Sequence, residues 1–168
     1  MTIDSNARLD EQCTPIVAAA GLLLTSTLGD TLYVSLKNHR RLSIHISIAD
    51  GTSVTGSTIT LKQATAVAGT NEKELAFTRM LASSDYPTTA LTETTVTSNT
   101  FTTQTTNSKD SYYIIDVDSD SLDAANGFDC VRLDGTGHAA TASRGVVVMY
   151  FLYGARYSGV SRATAVAN

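Results

Sequence analysis

The sequence predicts an all-β fold, an antiparallel β-sandwich that is jelly-roll-like and built from about eight to nine short strands. Three features lead there. Eleven of the nineteen residues in 88–106 are threonine, a side chain that is stiff at χ1 and favours a pleated sheet over a helix. Leu42, Ile44, Ile46 and Ile48 alternate with Ser43, His45 and Ser47, which places aliphatic groups on one face of a strand and small polar groups on the other. Turn signals such as Asp50-Gly51, Gly56-Ser57 and Asn126-Gly127 recur between the apolar runs. At 168 residues with 42% hydrophobic content and a mean hydropathy of +0.00, the chain can bury one core but not two.

Residues 1–29 show neither strand alternation nor a helical stripe, although 17–24 hold an alanine-rich run that could form a short helix. An extended N-terminal arm is the reading. Its apolar residues Ile16, Val17, Leu22, Leu23 and Leu24 would be costly in water, so they are expected to pack on the body or on another subunit and are candidate interface residues. Because strand signals start at Asp30, removing residues 1–24 is expected to leave a folded body.

The β-sandwich domain spans 30–157. Leu32, Val34 and Leu36 alternate with Tyr33 and Ser35, and Lys37-Asn38-His39-Arg40 supplies a polar turn before the strong strand at 42–48. Residues 58–63 return with Ile59 and Leu61 inward. Residues 75–82 read as one strand with Leu75, Phe77 and Arg79 on a shared face, while helix formers in 72–81 and the helical spacing of Phe77, Met80 and Leu81 keep a helix open. Short strands are expected at 94–97 and 101–103 inside the threonine run that Pro87 opens. A strand at 112–117, an acidic turn at 118–123 and a strand at 128–133 follow, then a loop marked by Gly135 and Gly137. The run 146–157 closes the domain, with Gly154 as a bulge or bend. The small, polar tail 158–168 is expected to be flexible.

A net charge of -4 with 17% charged residues provides no electrostatic footprint for a phosphate backbone, so nucleic acid is not an expected partner. Cys13 and Cys130 have no metal-ligand spacing and read as unpaired thiols, Cys130 as a small hydrophobe buried in a strand. The apolar stretch 16–24 is far shorter than the ~20 residues that span a bilayer. The acidic start lacks the basic residues of a secretion signal, so the expectation is synthesis in a cytoplasm and no membrane association.

Asp116, Asp118, Asp120 and Asp123 invite a calcium reading, because hard oxygen ligands at alternate positions can wrap a cation. The EF-hand pattern fails at Ser121, where glycine is required, and at Gly127, where glutamate is required. Asp116, Asp118 and Asp120 therefore stand as calcium candidates beside the plainer reading of an acidic strand end, with Asp123 holding a local turn. His39, His45 and His138 are scattered, and no Gly-x-Ser-x-Gly elbow or phosphate-cradling glycine loop occurs. No catalytic residue, cofactor or enzymatic activity is expected. Tyr112, Tyr113, Tyr150, Phe151, Tyr153 and Tyr157 could line a carbohydrate groove, but on strands such residues more often form core and rim pairs.

Three stretches carry a resemblance: Asp-Thr-Leu-Tyr-Val-Ser-Leu-Lys-Asn at 30–38, Thr-Leu-Lys-Gln-Ala-Thr-Ala-Val-Ala-Gly-Thr at 60–70, and Asp116-Val117-Asp118 running on through Leu122-Asp123 to Asn126-Gly127-Phe128-Asp129-Cys130-Val131. Together they resemble small virion structural proteins of tailed bacteriophages encoded among the head genes, a likeness covering 30–157. The resemblance implies a head decoration, or cement, protein: a β-sandwich on the capsid surface of the virion, bound to the major capsid protein and stabilising the shell. It also implies a homo-oligomer with closed symmetry, a trimer favoured. Alternatives are a tail-tube, neck or tail-completion protein, or a carbohydrate- or receptor-binding module.

Overall fold

The computed structural model describes residues 13–23, 31–49, 56–97, 99–106, 108–135 and 145–156, with the side chains of 20–23 left out. Two antiparallel sheets face each other. The six-stranded sheet has the order β1 (Cys13–Leu23), β11 (Gly145–Ala155), β3 (His39–Ile48), β9 (Ser111–Asp118), β6 (Arg79–Ser83), β7 (Thr92–Thr95). The other has the order β2 (Val34–Ser35), β10 (Cys130–Gly135), β4 (Thr58–Ala64), β5 (Lys73–Leu75), and β8 (Thr100–Thr102) pairs with the first half of β4. With β6, β7 and β8 set aside, the eight remaining strands run first, eighth, third, sixth in one sheet and second, seventh, fourth, fifth in the other. That is the jelly-roll winding. The threonine-rich insert between β5 and β9 widens both sheets, and the strands number eleven among the described residues.

The alternation in β3 holds as expected. Leu42, Ile44, Ile46 and Ile48 are fully buried between the sheets, and they meet Val146, Val148 and Leu152 of β11 and Ile115 and Val117 of β9 in one cluster with Ile59, Leu61, Val131 and Leu133 of the opposite sheet. Both cysteines are buried and neither is in a disulfide. Cys130 lies in β10 against the Asp129 carboxylate, and burial followed by that neighbour pushes its thiol up to about 12.

Two expectations are corrected. Residues 13–23 are not an arm outside the sandwich but its edge strand, β1, in register with β11 from Cys13↔Tyr153 to Leu23↔Gly145. A bare β11 would leave a row of backbone N–H and C=O groups unpaired. Leu24 and the rest of 1–29 lie outside the described residues, as do the turn at Asp50-Gly51, Gly137, His138, Tyr157 and the tail 158–168. The run 75–82 is neither one strand nor a helix: Leu75 ends β5 in one sheet, Arg79 starts β6 in the other, and Phe77 is buried where the chain crosses. Arg79 faces solvent, apart from Leu75 and Phe77. Gly154 does take a positive φ of 61°, but Tyr153↔Arg41 and Ala155↔His39 stay in register, so it bends the strand without a bulge.

Inside the threonine run, β7 is mostly exposed whereas Thr103 is buried. The Thr103 hydroxyl accepts the N–H of Ser57 at 2.8 Å, and its own N–H donates to the Ser57 carbonyl at 2.9 Å. Gly56 beside it has φ +57° and leaves no space for a side chain, since a Cβ would lie 2.6 Å from the Thr103 carbonyl oxygen.

Tyr150 is a large side chain with a polar end in the core, fully buried on β11. Its hydroxyl reaches across to the opposite sheet and accepts the N–H of Leu133 at 2.9 Å. The Leu133 carbonyl accepts the hydroxyl of Thr31. Strand β2 pairs only with Cys130 and Val131 of β10, so Leu133 lies past its end and side chains complete its hydrogen bonds. Burial pushes the Tyr150 hydroxyl up to about 12, opposed by its bonds to Thr31 and Leu133.

Tyr150→Phe therefore strands a buried N–H and is expected to cost about 1–3 kcal/mol, read by urea unfolding at pH 7. The folded pKa is raised, so the neutral phenol's contribution is complete below about pH 10 and is lost as the pH rises through about 12. The Phe variant should thus lose less stability than the native chain over that alkaline window, and parallel curves would refute the bridge. Ile46→Asp buries an unpaired charge and should cost several kcal/mol, comparable to the stability of a domain, with loss of the folded dichroism spectrum as readout. Deleting 1–24 removes β1 and should lower the melting temperature and expose dye-binding apolar surface, reversing the expectation of an intact body.

Candidate functional site

The outer faces of the two sheets differ in chemistry. On the five-stranded sheet, Lys62 of β4 and Arg132 of β10 face outward, and both ion-pair with Glu72, at 3.8 and 2.8 Å. Arg132 also lies over the Tyr33 ring, 5.1 Å from its centroid, and the Tyr33 hydroxyl donates to Glu72. Burial and that carboxylate raise the Tyr33 pKa. This is an ordinary solvated, salt-bridged surface.

The outer face of the six-stranded sheet is apolar and aromatic. Register aligns Val17, Met149, His45, Ile114 and Leu81 in one row across β1, β11, β3, β9 and β6. Phe151 stands next to this row, and Val147 lies on its other side. Val17 is 55% and Val147 39% exposed, and Met149, Phe151, Ile114 and Leu81 are half-buried. The ion pairs lie at the rim, where Arg41 pairs with Asp118 at 2.7 Å and Arg79 with Glu93 at 3.3 Å, and the exposed Asp116 stands beside Ser43 next to the row.

A ladder of rings stiffens the centre. His45 meets Phe151 edge-on at 4.7 Å and Tyr112 at 5.9 Å, and Tyr112 stacks on the half-exposed Tyr86 at 5.0 Å. His45 Nδ1 lies 2.7 Å from the Tyr112 hydroxyl and Nε2 3.2 Å from the Ser43 hydroxyl. Burial lowers the His45 pKa, opposed by the Asp116 carboxylate, and burial raises that of Tyr112. The imidazole is therefore neutral near pH 7 and held at both nitrogens. A serine, a histidine and an orienting hydroxyl in series formally match nucleophile, base and orienter. Ser43 is only 6% exposed, however, and the trio lies on a sheet surface, so its clear consequence is a fixed, uncharged ring at the centre of the face.

Of the interface candidates, Val17 projects from this face. Ile16, one position earlier, points inward and packs against the core. Leu22 and Leu23 pair through their backbones with Val146 and Gly145, and Leu24 lies outside the described residues. Sequence reasoning missed Val147, Met149, Ile114 and Leu81 as surface residues, although their two-residue spacing places them opposite the buried set.

The calcium candidates separate. Asp116 is exposed on the outer face beside Ser43, Asp118 is engaged by Arg41, and Asp120 lies in a single 3-10 turn, Ser119–Ser121. No group of three or more acidic, histidine or cysteine side chains suited to a metal occurs among the described residues. Asp123 holds the Asn126 side chain at 2.8–2.9 Å and the Lys73 ammonium, and Lys73 followed by Asn126 lowers its pKa. Asp118 and Asp120 instead form part of a cleft at the end of the sandwich, about 750 Å³ in volume, shared with Arg40, Arg41, Tyr153 and Arg156.

No helix among the described residues is long and apolar enough to cross a membrane. No protein-family model matches the chain, and no curated protein matches it. Among solved structures, it is similar to the SPBc2 prophage-derived protein YomS, at 13% sequence identity and a TM-score of 0.44, over 83% of this chain and 92% of that one.

Proposed function

We propose that this protein is a non-enzymatic structural component of a tailed-phage virion, a decoration or cement protein that adheres to the major capsid protein on the outside of the head. The observation that carries the reading is the apolar outer face of the six-stranded sheet, with Val17 and Val147 exposed at 55% and 39%. A contiguous apolar patch on a sheet whose other side already covers the core marks a surface meant for a partner. The resemblance at 30–38, 60–70 and 116–131 directs that partner to a capsid shell.

Magnitudes favour a repeated lattice as the partner. Full burial of an aliphatic side chain contributes about 1.5–3 kcal/mol, while association costs an estimated 4–15 kcal/mol in lost freedom. A patch of this size gives modest affinity alone and strong adhesion when several copies join in a closed oligomer, of which a trimer suits an icosahedral shell.

Shells lacking the protein should bind the purified chain and resist heat or osmotic shock better once coated. The double variant Val17→Glu, Val147→Glu changes two exposed positions, so it should keep the native melting temperature and bind shells at least about ten-fold more weakly, since each charge would have to be desolvated. Native-like binding by this variant would refute the assigned face. Signal from labelled protein along the tail alone would reject the head and favour a tail or neck component.

A further inference from the structure

We propose that the cleft at the β2–β3 end of the sandwich, which adjoins the rim of the adhesive face, is a binding site for a saccharide unit carrying one carboxylate. The site is built from parts far apart in sequence: Arg40 and Arg41 near the start of β3, Asp118 at the end of β9 with Asp120 just after it, and Tyr153 near the end of β11 with Arg156 just past it. Its volume of about 750 Å³ falls within the range of small-molecule sites.

The charges are unequally spent. Arg41 is neutralised by Asp118 at 2.7 Å. The Arg156 guanidinium donates to two neutral acceptors, the Ser119 hydroxyl at 2.7 Å and the His39 carbonyl at 3.4 Å, so it is positioned without being neutralised. Arg40 is exposed, and its side chain makes no hydrogen bond or ion pair among the described residues. Two guanidinium groups therefore offer charge-assisted donors to an anion. Against them stands Asp120, with the paired Asp118, so the cleft holds a net surplus of one positive charge.

That balance selects the ligand. A doubly charged phosphate would meet two carboxylates, whereas a sugar carboxylate needs one cation, and its hydroxyls supply donors that Asp120 and Ser119 can accept. The half-buried Tyr153 ring offers an apolar wall for the C–H face of a sugar. Gly154 opens the floor: it has φ +61°, and a Cβ there would sit 3.3 Å from the Arg40 Cβ, crowding the arginine's root.

The test is calorimetric titration of the full chain with glucuronate, a glucuronate-containing oligosaccharide, its neutral glucose counterpart and inorganic phosphate, for the native protein, Arg40→Gln and Arg156→Gln. Saturable binding of the acidic sugars is expected, at least about ten-fold tighter than the neutral sugar or phosphate and weakened about ten-fold or more in Arg40→Gln. Oligosaccharide binding without monosaccharide binding would point to a polymer as the source of the same chemistry. Arg40→Gln should keep the native melting temperature and native binding to shells, so this proposal and the adhesive role fail separately. No heat with either acidic sugar, equal binding of phosphate, or undiminished binding by Arg40→Gln would overturn it.

Discussion

The hydrogen bond from the Leu133 N–H to the Tyr150 hydroxyl is the constraint on which the sandwich depends. Apolar packing alone is non-directional and tolerates sliding of one sheet over the other. A buried phenol that must meet a particular backbone N–H fixes the spacing and offset of β11 against β10, both interior strands of their sheets. It also resolves a local problem of the jelly-roll winding, in which β2 is only two residues long and leaves Leu133 without a strand partner on that side. With Thr31 on the carbonyl, both backbone groups of Leu133 are satisfied, and β2 need not extend further.

Once the inner faces are fixed, the outer faces follow by alternation, and this is where the two sheets part. On β4 and β10 the outward positions hold Lys62, Arg132 and Asp134, engaged with Glu72 and one another. On β11 they hold Val147, Met149, Phe151 and Tyr153. Neither set affects the core, so the apolar choice on β11 has no explanation within the fold. It leaves apolar area facing solvent without adding to the buried cluster, which the proposed role explains as a surface kept for a partner.

Period-2 patterning made β3, β4 and β9 legible, because alternation is a local property and Ile46 or Ile115 declares its face from near neighbours alone. Strand β1 was illegible for a physical reason. Register shifts between Val17 and Ala19 and again between Ala19 and Leu22 put Ala18 and Ala19 both inward and erase the alternation that would have revealed a strand. The crossing from β5 to β6 hid in the same way, since Leu75, Phe77 and Met80 are all buried in one cluster although they come from β5, the crossing and β6, and the spacing of Phe77, Met80 and Leu81 mimics a helix. The apolar outer face was only half visible: Val17 stood out as an apolar residue on a terminal segment, while Val147 and Met149 were not singled out within the run 146–157. The arginine cleft could not be read at all, because Arg40 and Arg156 become neighbours only when β11 pairs with β3.

Charge placement on the outer face is compatible with the proposed adhesive role. An apolar patch loses its value if an ionised group lies at its centre, since burying that group against a partner costs more than several methylenes return. His45 occupies that position beside Tyr112, whose phenol is neutral near pH 7, with Asp116, Asp118 and Arg41 nearer the rim. Its ring is held between Phe151 and Tyr112 and hydrogen-bonded at both nitrogens, and burial lowers its pKa. The neutral imidazole is therefore favoured across the range where an exposed histidine would begin to charge, and the patch stays uncharged at its centre. Acid works against this in a definite sense: below the lowered pKa, protonation brings a charge into the ring ladder and removes the acceptor facing Ser43 or Tyr112. The same packing that holds His45 in place thus keeps the centre of the face uncharged near neutral pH, as the proposed adhesive role requires.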